Sequence, residues 1–411
     1  MKFCIVILKA PFSAFIARQA LEWYYIVGPV LGCIVVFAVG WCICKYRRAA
    51  VAELPDPEKA VEMQFQNPEA DEWEIAVDLL QLQEVIGKGA FGAVWKALLN
   101  KPDGKPEKRT VAAKCFTPTS GEEGRRSLMR EIELGKLLAE KPQPNIVEFI
   151  GCVTTQVHPM MIMEYLACGD LLGYLRKSRG IHDKYHLGQG SVPELEIYDL
   201  VLFAKQIAAG MVFLGSRGII HRDLAARNVL LDDNFVCKVT DFGLAYQDFK
   251  YGHGNAKKGC MPIKWTAPEI LSGNVAELST QSDVWSYGIV LYEIFTIGGI
   301  PYPGWSEGRV VQAVLNGYQM PKPDHIDDQL YDVMTRCWNL NPDFRLPFEN
   351  LRKRMDTYLR EETYTELVHM GKYDSVKYSK VEDLGAQDEP PSEQVKTSTT
   401  GKKLGKWSSV R

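Results

Sequence analysis

Gly87, Gly89 and Gly92 stand in a G-x-G-x-x-G array with Val94 two residues further on, between two runs of β-type residues. In a dinucleotide fold such glycines open a helix. Here Ala93-Val94-Trp95-Lys96-Ala97 reads as a second strand, so the array reads as a hairpin lid over phosphates. Taken alone, it is no more than an ordinary Gly-rich hairpin turn also shows. Val111-Ala112-Ala113-Lys114 then reads as a strand ending in a lysine, and Glu131 follows within a run of helical character. A strand lysine ordinarily faces solvent; paired with a helical glutamate, its ammonium is instead aimed at phosphate oxygens. Further on come His221-Arg222-Asp223-Leu224-Ala225-Ala226-Arg227-Asn228, then Asp241-Phe242-Gly243, then Ala267-Pro268-Glu269.

Positioning these groups takes two kinds of scaffold. Leu82 to Ile86, Ala93 to Leu98 and Thr110 to Phe116 are short β-type runs, interrupted by one helix. Ser120 with Glu123 reads as the capping box of that helix, and Pro142 and Pro144 as its stop. After Tyr165 the pattern turns helical, with apolar residues at helical spacing in Leu200 to Leu214, Ser282 to Thr296 and Gln329 to Trp338. A strand-rich lobe followed by a helical lobe predicts an α+β, two-lobed enzyme.

The chain has 411 residues, 46% apolar and 24% charged, enough for one large domain or two ordinary ones. A net charge of −3 leaves no basic footprint, so nucleic acid is not an expected partner. Ten cysteines without a C-x-x-C pair read as reduced thiols, not as a disulfide framework or zinc site. Tyr24 to Cys44 carries no charged side chain, and its 21 residues are long enough to cross a hydrocarbon core of about 30 Å. Residues 23–44 therefore read as a single transmembrane helix, with Lys45, Arg47 and Arg48 marking the cytosolic side. That leaves residues 1–22 as a short extracellular or lumenal stretch, too small for a ligand-binding domain. Residues 45–79 read as a juxtamembrane linker, 80–360 as the catalytic domain, and 361–411 as a polar, disordered tail. A single-pass protein, at the plasma membrane with its catalytic domain in the cytosol, is expected.

The ordered set of motifs resembles the protein-kinase signature, and the resemblance runs from Leu79 to about Leu359. It implies a bilobal protein-kinase fold: a five-stranded N-lobe with one regulatory helix, then a helical C-lobe. It also implies ATP and Mg2+, or Mn2+ in its place, as cofactors. By the same resemblance Asp223 orients and deprotonates the attacking hydroxyl, Lys114 and Glu131 form the phosphate-facing pair, and Asn228 and Asp241 hold the metal. Ile86, Gly87, Gly89 and Gly92 cover the nucleotide, while Val94, Ala112 and Leu230 sandwich the adenine. The backbone from Glu164 to Leu166 meets the purine edge, and Met163 guards the back of the pocket. Glu269 and Arg345 match a structural ion pair.

Two features resemble tyrosine kinases in particular. Ala225-Ala226-Arg227 stands where serine/threonine kinases place a lysine two residues after the aspartate, which puts Arg227 in the catalytic set. Met261-Pro262-Ile263-Lys264-Trp265 resembles the platform that lets a phenol reach that aspartate. Trp73-Glu74-Ile75, the polar insert around Lys177 to Pro193, and Cys337-Trp338 look like the fibroblast-growth-factor, vascular-growth-factor and Ret receptor group. The short stretch before the membrane departs from that group.

Protein tyrosines are the implied substrates. Tyr251, near Tyr246 in the activation segment, is the candidate switch phosphosite, with Arg222 to receive its phosphate. In the tail, Tyr364, Tyr373 and Tyr378 each have an aliphatic residue three positions on, the pattern that SH2-domain adaptors read once the tyrosine is phosphorylated. One small-xxx-small pair, Gly28 and Gly32, is compatible with a homodimer. The competing reading is a pseudokinase scaffold; retention of the lysine, both aspartates and the glycine array argues for an enzyme. Gly135, one turn beyond Glu131, stands where the family carries a larger apolar residue. A loosely packed helix or an enlarged back pocket is expected there.

Overall fold

A computed structural model describes residues 71–88, 92–100, 108–116, 121–156, 158–178, 195–247, 262–274, 277–323 and 326–360. The 23–44 stretch, Gly89, Ser120 with its capping box, the polar insert, and Tyr251, Tyr364, Tyr373 and Tyr378 lie outside the described residues.

The first β-type runs form strands β1 (Leu80–Lys88), β2 (Gly92–Asn100) and β3 (Lys108–Phe116). Helix α1 (Gly121–Ala139) follows, then β4 (Phe149–Val153) and β5 (Met160–Glu164). The strands pair antiparallel in the order β1-β2-β3-β5-β4. Both edges of β3 are paired, with β2 and β5, and its Val111, Ala112 and Ala113 are buried while Lys114 is not fully enclosed. Ala97, Val111, Ala113, Val153, Met160 and Ile162 make a small core on one face. Helix α1 covers the other. Its buried side, Leu128, Met129, Ile132, Gly135 and Leu138, has helical spacing, and Glu131 lies among these apolar residues.

The helical lobe contains α2 (Leu171–Ser178), α3 (Ile197–Gly215), two short strand pairs, α4 (Pro268–Leu271), α5 (Thr280–Phe295), α6 (Glu307–Leu315), α7 (Asp328–Cys337) and α8 (Phe348–Arg360). The strand pairs are β6 (Ile219–Ile220) with β9 (Tyr246–Gln247), and β7 (Val229–Leu231) with β8 (Cys237–Val239). Helix α3 starts at a reciprocal cap between Glu196 and Asp199. Among the described residues it is the one helix long and apolar enough to cross a membrane, but Leu200, Val201, Phe203, Ala204 and Ile207 are buried in the core of this lobe.

Helix α5 is the axis of the lobe. Ser279 caps its first turn, accepting from the Gln281 N–H, and every residue from Ser282 to Phe295 is buried. A helix apolar all round must be buried on all sides. Its two acids, Asp283 and Glu293, therefore have to find partners inside the protein.

Gly135 differs from expectation. A Cβ there would lie 2.6 Å from Cδ2 of Phe149 and 3.1 Å from Cε of Met161. The ring of Phe149, from β4, fills the space that a larger residue on α1 would take. The helix is tightly seated and the back pocket is not enlarged at this point; a single position read along the helix gives no sign of what faces it across the sheet.

Candidate active site

Lys114 near the end of β3 reaches across to α1, where its Nζ donates to both carboxylate oxygens of Glu131 at 2.7 Å. The same ammonium donates to Oδ1 of Asp241 at 2.9 Å. Burial by itself would favour a neutral lysine, but the two carboxylates hold Lys114 well above its ordinary value and so fully charged. Burial also works against the charge of Asp241, yet the Lys114 ammonium holds its carboxyl below the usual range. Burial pushes the Glu131 carboxyl above its ordinary range although Lys114 opposes the rise. The three groups form one hydrogen-bonded cluster on a wall of a cleft.

That cleft, with a volume of about 1070 Å³, lies between the two lobes. Lining it are Ile86, Gly87, Gly92, Val94, Ala112 and Met163 from the strand lobe. Glu164 and Leu166 line it from the connecting segment, and Asp223, Arg227, Asn228, Leu230 and Asp241 from the helical lobe. The carboxylate of Glu164 is held by Lys238 at 2.8 Å and by the N–H of Glu148 at 2.7 Å. The N–H of Glu164 in turn donates to the Glu148 carbonyl at 3.0 Å, so this residue is fixed by both its side chain and its backbone at the mouth of the cleft.

The segment from His221 to Asn228, between β6 and β7, is held from beneath by α5. Asp283 accepts the N–H of His221 at 2.7 Å and that of Arg222 at 2.9 Å, which stabilises Arg222 in a left-handed conformation of φ 69°. His221 Nε2 lies 3.0 Å from the carbonyl of Thr240 and donates to it, so its Nδ1 accepts from the N–H of Asp223 at 3.3 Å. The His221 ring also packs on Phe242, with centroids 5.4 Å apart. Asp241, just before that phenylalanine, is itself left-handed at φ 63°. Two strained residues thus aim two carboxylates, Asp223 and Asp241, into one cleft.

Asp223 is mostly buried, and burial pushes its carboxyl above the ordinary value although Arg227 opposes the rise. The Arg227 guanidinium donates to its Oδ1 and lies over the Trp265 ring, 4.4 Å from the centroid. Asn228 donates its amide to the Asp223 carbonyl at 2.7 Å, leaving its side-chain oxygen as the atom available to a ligand. Beneath them, Oε2 of Glu293 accepts from the N–H of Ala226 at 2.9 Å and from the indole N–H of Trp265 at 3.0 Å. One buried side chain therefore joins the segment from His221 to Asn228 to Trp265 in front of it.

Among the described residues no group of three or more His, Cys, Asp or Glu side chains is arranged to hold a metal on its own. The donors on hand, the Asn228 amide oxygen and the Asp241 carboxylate, are hard oxygens. Two such ligands suit a cation that completes its shell with phosphate and water oxygens, which is how Mg2+ is commonly bound.

Sequence reasoning missed Asp283 and Glu293. A signal was present, since they are the two acids in a mostly apolar helix. Away from the cleft, Arg345 donates twice to Glu269 at 2.7 Å, with both side chains almost wholly buried.

The family model described as protein tyrosine and serine/threonine kinase matches residues 80–355. Tyrosine kinase receptor Cad96Ca of Drosophila melanogaster is 39% identical over 301 residues, covering 72% of this chain and 38% of the relative. Fibroblast growth factor receptor 1 of Xenopus laevis is 37% identical over 302 residues, covering 72% and 37%. Tyrosine-protein kinase Fer of Homo sapiens is 36% identical over 296 residues, covering 72% and 33%. The chain spans between a third and two fifths of the length of these curated relatives.

Proposed function

The chain belongs to the protein tyrosine and serine/threonine kinase family, and from that premise we propose that it transfers the γ-phosphoryl group of ATP to tyrosine hydroxyls of proteins. The observation that carries this reading is the assembled cluster of Lys114, Glu131 and Asp241 facing Asp223 in one cleft. Phosphoryl transfer demands positioning and charge neutralisation more than covalent chemistry from the protein.

Lys114, kept cationic by its two carboxylates, orients the phosphates. Asn228 and Asp241 would hold Mg2+, which supplies neutralisation of the phosphate oxygens. Asp223, its carboxyl raised by burial, accepts the phenolic proton as the phenol oxygen bonds to the γ-phosphorus and the bond from that phosphorus to the departing ADP breaks. Arg227 fixes the rotamer of Asp223 and stacks on Trp265, so the aspartate and the platform for the incoming tyrosine keep one mutual geometry. Ile86, Gly87, Gly89 and Gly92 cover the nucleotide, Val94, Ala112 and Leu230 hold the adenine, Met163 closes the back, and Glu164 and Leu166 present backbone groups to the purine.

The finer reading is a receptor-type enzyme held in the plasma membrane by residues 23–44, with the kinase domain in the cytosol. Phosphorylation of Tyr251 engages Arg222, and phosphorylation of Tyr364, Tyr373 and Tyr378 recruits SH2 adaptors. The apolar 23–44 run and the receptor relatives support the anchoring; the aliphatic residue three positions after each tail tyrosine supports the recruitment.

The test is phosphotyrosine formation on a Glu/Tyr copolymer by the full chain in detergent, with ATP and Mg2+, against a Lys114→Met control. Product no greater than the control's overturns the kinase reading in favour of a scaffold. Mass spectrometry of the activation segment and the tail before and after ATP decides the phosphosites.

A further inference from the structure

The Lys114–Glu131 contact exists only while α1 stays against the sheet, and what seats the C-terminal half of α1 lies outside the catalytic set. Gly135 is one turn beyond Glu131 on the same buried face. The Phe149 ring approaches so closely that a Cβ at residue 135 would stand 2.6 Å from it, well inside the roughly 3.5–4.0 Å of a normal carbon contact. The ring thus rests on the helix backbone itself. Phe149 also touches the Trp73 ring, with centroids 5.5 Å apart and planes inclined at 56°.

Trp73 belongs to the segment that precedes β1, and that segment is stitched to β4. The Cys152 N–H donates to the Trp73 carbonyl at 2.8 Å, and the Ile75 N–H donates to the Cys152 carbonyl at 2.7 Å. Gly151 allows this approach, because a Cβ there would meet the Trp73 carbonyl oxygen at 2.7 Å and Ile75 Cδ1 at 2.6 Å. The carboxylate of Glu74 then closes the end of β4, accepting N–H and hydroxyl bonds from Thr154 and Thr155 at 2.8–3.1 Å. A second route goes straight to the helix: Asp71 lies 2.5 Å from Nζ of Lys136, the residue after Gly135. Burial works against the charge of Asp71, but Lys136 and the Trp73 N–H hold its carboxyl below the ordinary range.

We propose that Trp73 and Phe149 are positioning residues: the aromatic pair resting on Gly135, with the Asp71–Lys136 bridge beside it, carries the placement of the segment before β1 into the placement of Glu131 against Lys114. This rests on the kinase reading of that pair. Both routes enter α1 at Gly135 and Lys136, so a displacement of the 71–75 segment is felt one turn from the glutamate. The aromatic route is the stronger, because Asp71 and Lys136 are both partly solvated and such pairs contribute little.

The test uses the full chain and the variants Trp73→Ala, Trp73→Phe and Asp71→Asn. Kinetics with ATP and a tyrosine peptide are read beside hydrogen exchange of amides in α1 and in α5. The expected result for Trp73→Ala is a fall in kcat of about tenfold, with the peptide KM little changed. Exchange should rise in residues 128–138 and stay level in α5. Trp73→Phe, which keeps a ring on Phe149, should restore most of both, and Asp71→Asn should give a smaller change in the same direction. An unchanged kcat with unchanged α1 exchange overturns the proposal, and so does faster exchange shared equally by α5, which would mean general loosening. If wild type itself transfers no phosphate, the kinase reading fails, and α1 exchange alone then decides the joint for or against.

Discussion

Replacing Gly135 by alanine sets two effects of known sign against each other. In an exposed helix the change is worth about 1 kcal/mol in favour of the folded state, because glycine loses more backbone freedom on folding. In this protein the new methyl would lie 2.6 Å from Cδ2 and 3.0 Å from Cγ of Phe149. That is an overlap of about 1 Å with a buried ring against which Trp73 packs, and both the burial and the indole oppose its retreat. Overpacking of this kind costs about 1–3 kcal/mol. The net expectation is a loss of about 1 kcal/mol, or about 2–4 °C in Tm for a domain of this size. A longer residue such as methionine should lose more. Thermal and urea unfolding of wild type, Gly135→Ala, Phe149→Leu and the double variant form the assay. In the Phe149→Leu background the overlap is lifted, so Gly135→Ala should there be stabilising, and the cycle should show coupling above about 0.5 kcal/mol. A rise in Tm for Gly135→Ala in the wild-type background would refute the packing argument, since it would mean the ring does not sit on the helix.

Asp223→Asn should lower kcat at least about 100-fold while calorimetric ATP affinity stays within about twofold, because it removes the proposed proton acceptor and leaves the phosphate contacts; a parallel loss of affinity would contradict this. Arg345→Ala leaves the Glu269 carboxylate buried without its partner and should cost about 3–5 kcal/mol in urea unfolding, with a loss below about 1 kcal/mol pointing to solvent reaching the site. Glu293 supplies a pH signature. Burial raises its carboxyl from 4.5 to about 7, against the hydrogen bonds from Ala226 and Trp265. A folded-state value above the unfolded one means that the associated stability is fully present below 4.5 and is lost as pH rises through about 7. Glu293→Gln keeps a carbonyl oxygen for both N–H groups without the charge. It should therefore gain on wild type by up to about 3 kcal/mol across that window in denaturant unfolding, and parallel pH curves would count against the argument.

The groups proposed to be catalytic could be picked out in the chain because each lies in a short contiguous motif whose local backbone does half of the positioning. His221 to Asn228 forms a tight segment between two short strands, Asp241 precedes Phe242 by one residue, and Lys114 lies two residues before the end of a strand whose buried register places it at the cleft. The pairing of Lys114 with Glu131 was also within reach, since a strand followed directly by a helix returns the chain across its own sheet. Element edges were less so: the helix expected over Ser282 to Thr296 begins at Thr280, because Ser279 caps it.

What only the tertiary structure decided is which distant groups meet. Asp283 and Glu293 stand out in sequence as acids in an apolar helix. Their partners, the amides of His221, Arg222 and Ala226 and the indole of Trp265, are selected by the way α5 is enclosed. Gly135 makes the point most sharply. An absent side chain reads as a vacancy along the helix, and whether the space is empty or already taken depends on a residue of another strand. Here Phe149 had taken it, because close packing leaves no void as large as a side chain unfilled at little cost. Local periodicity reports which face of an element is buried; the neighbour against which it is buried is a property of the fold.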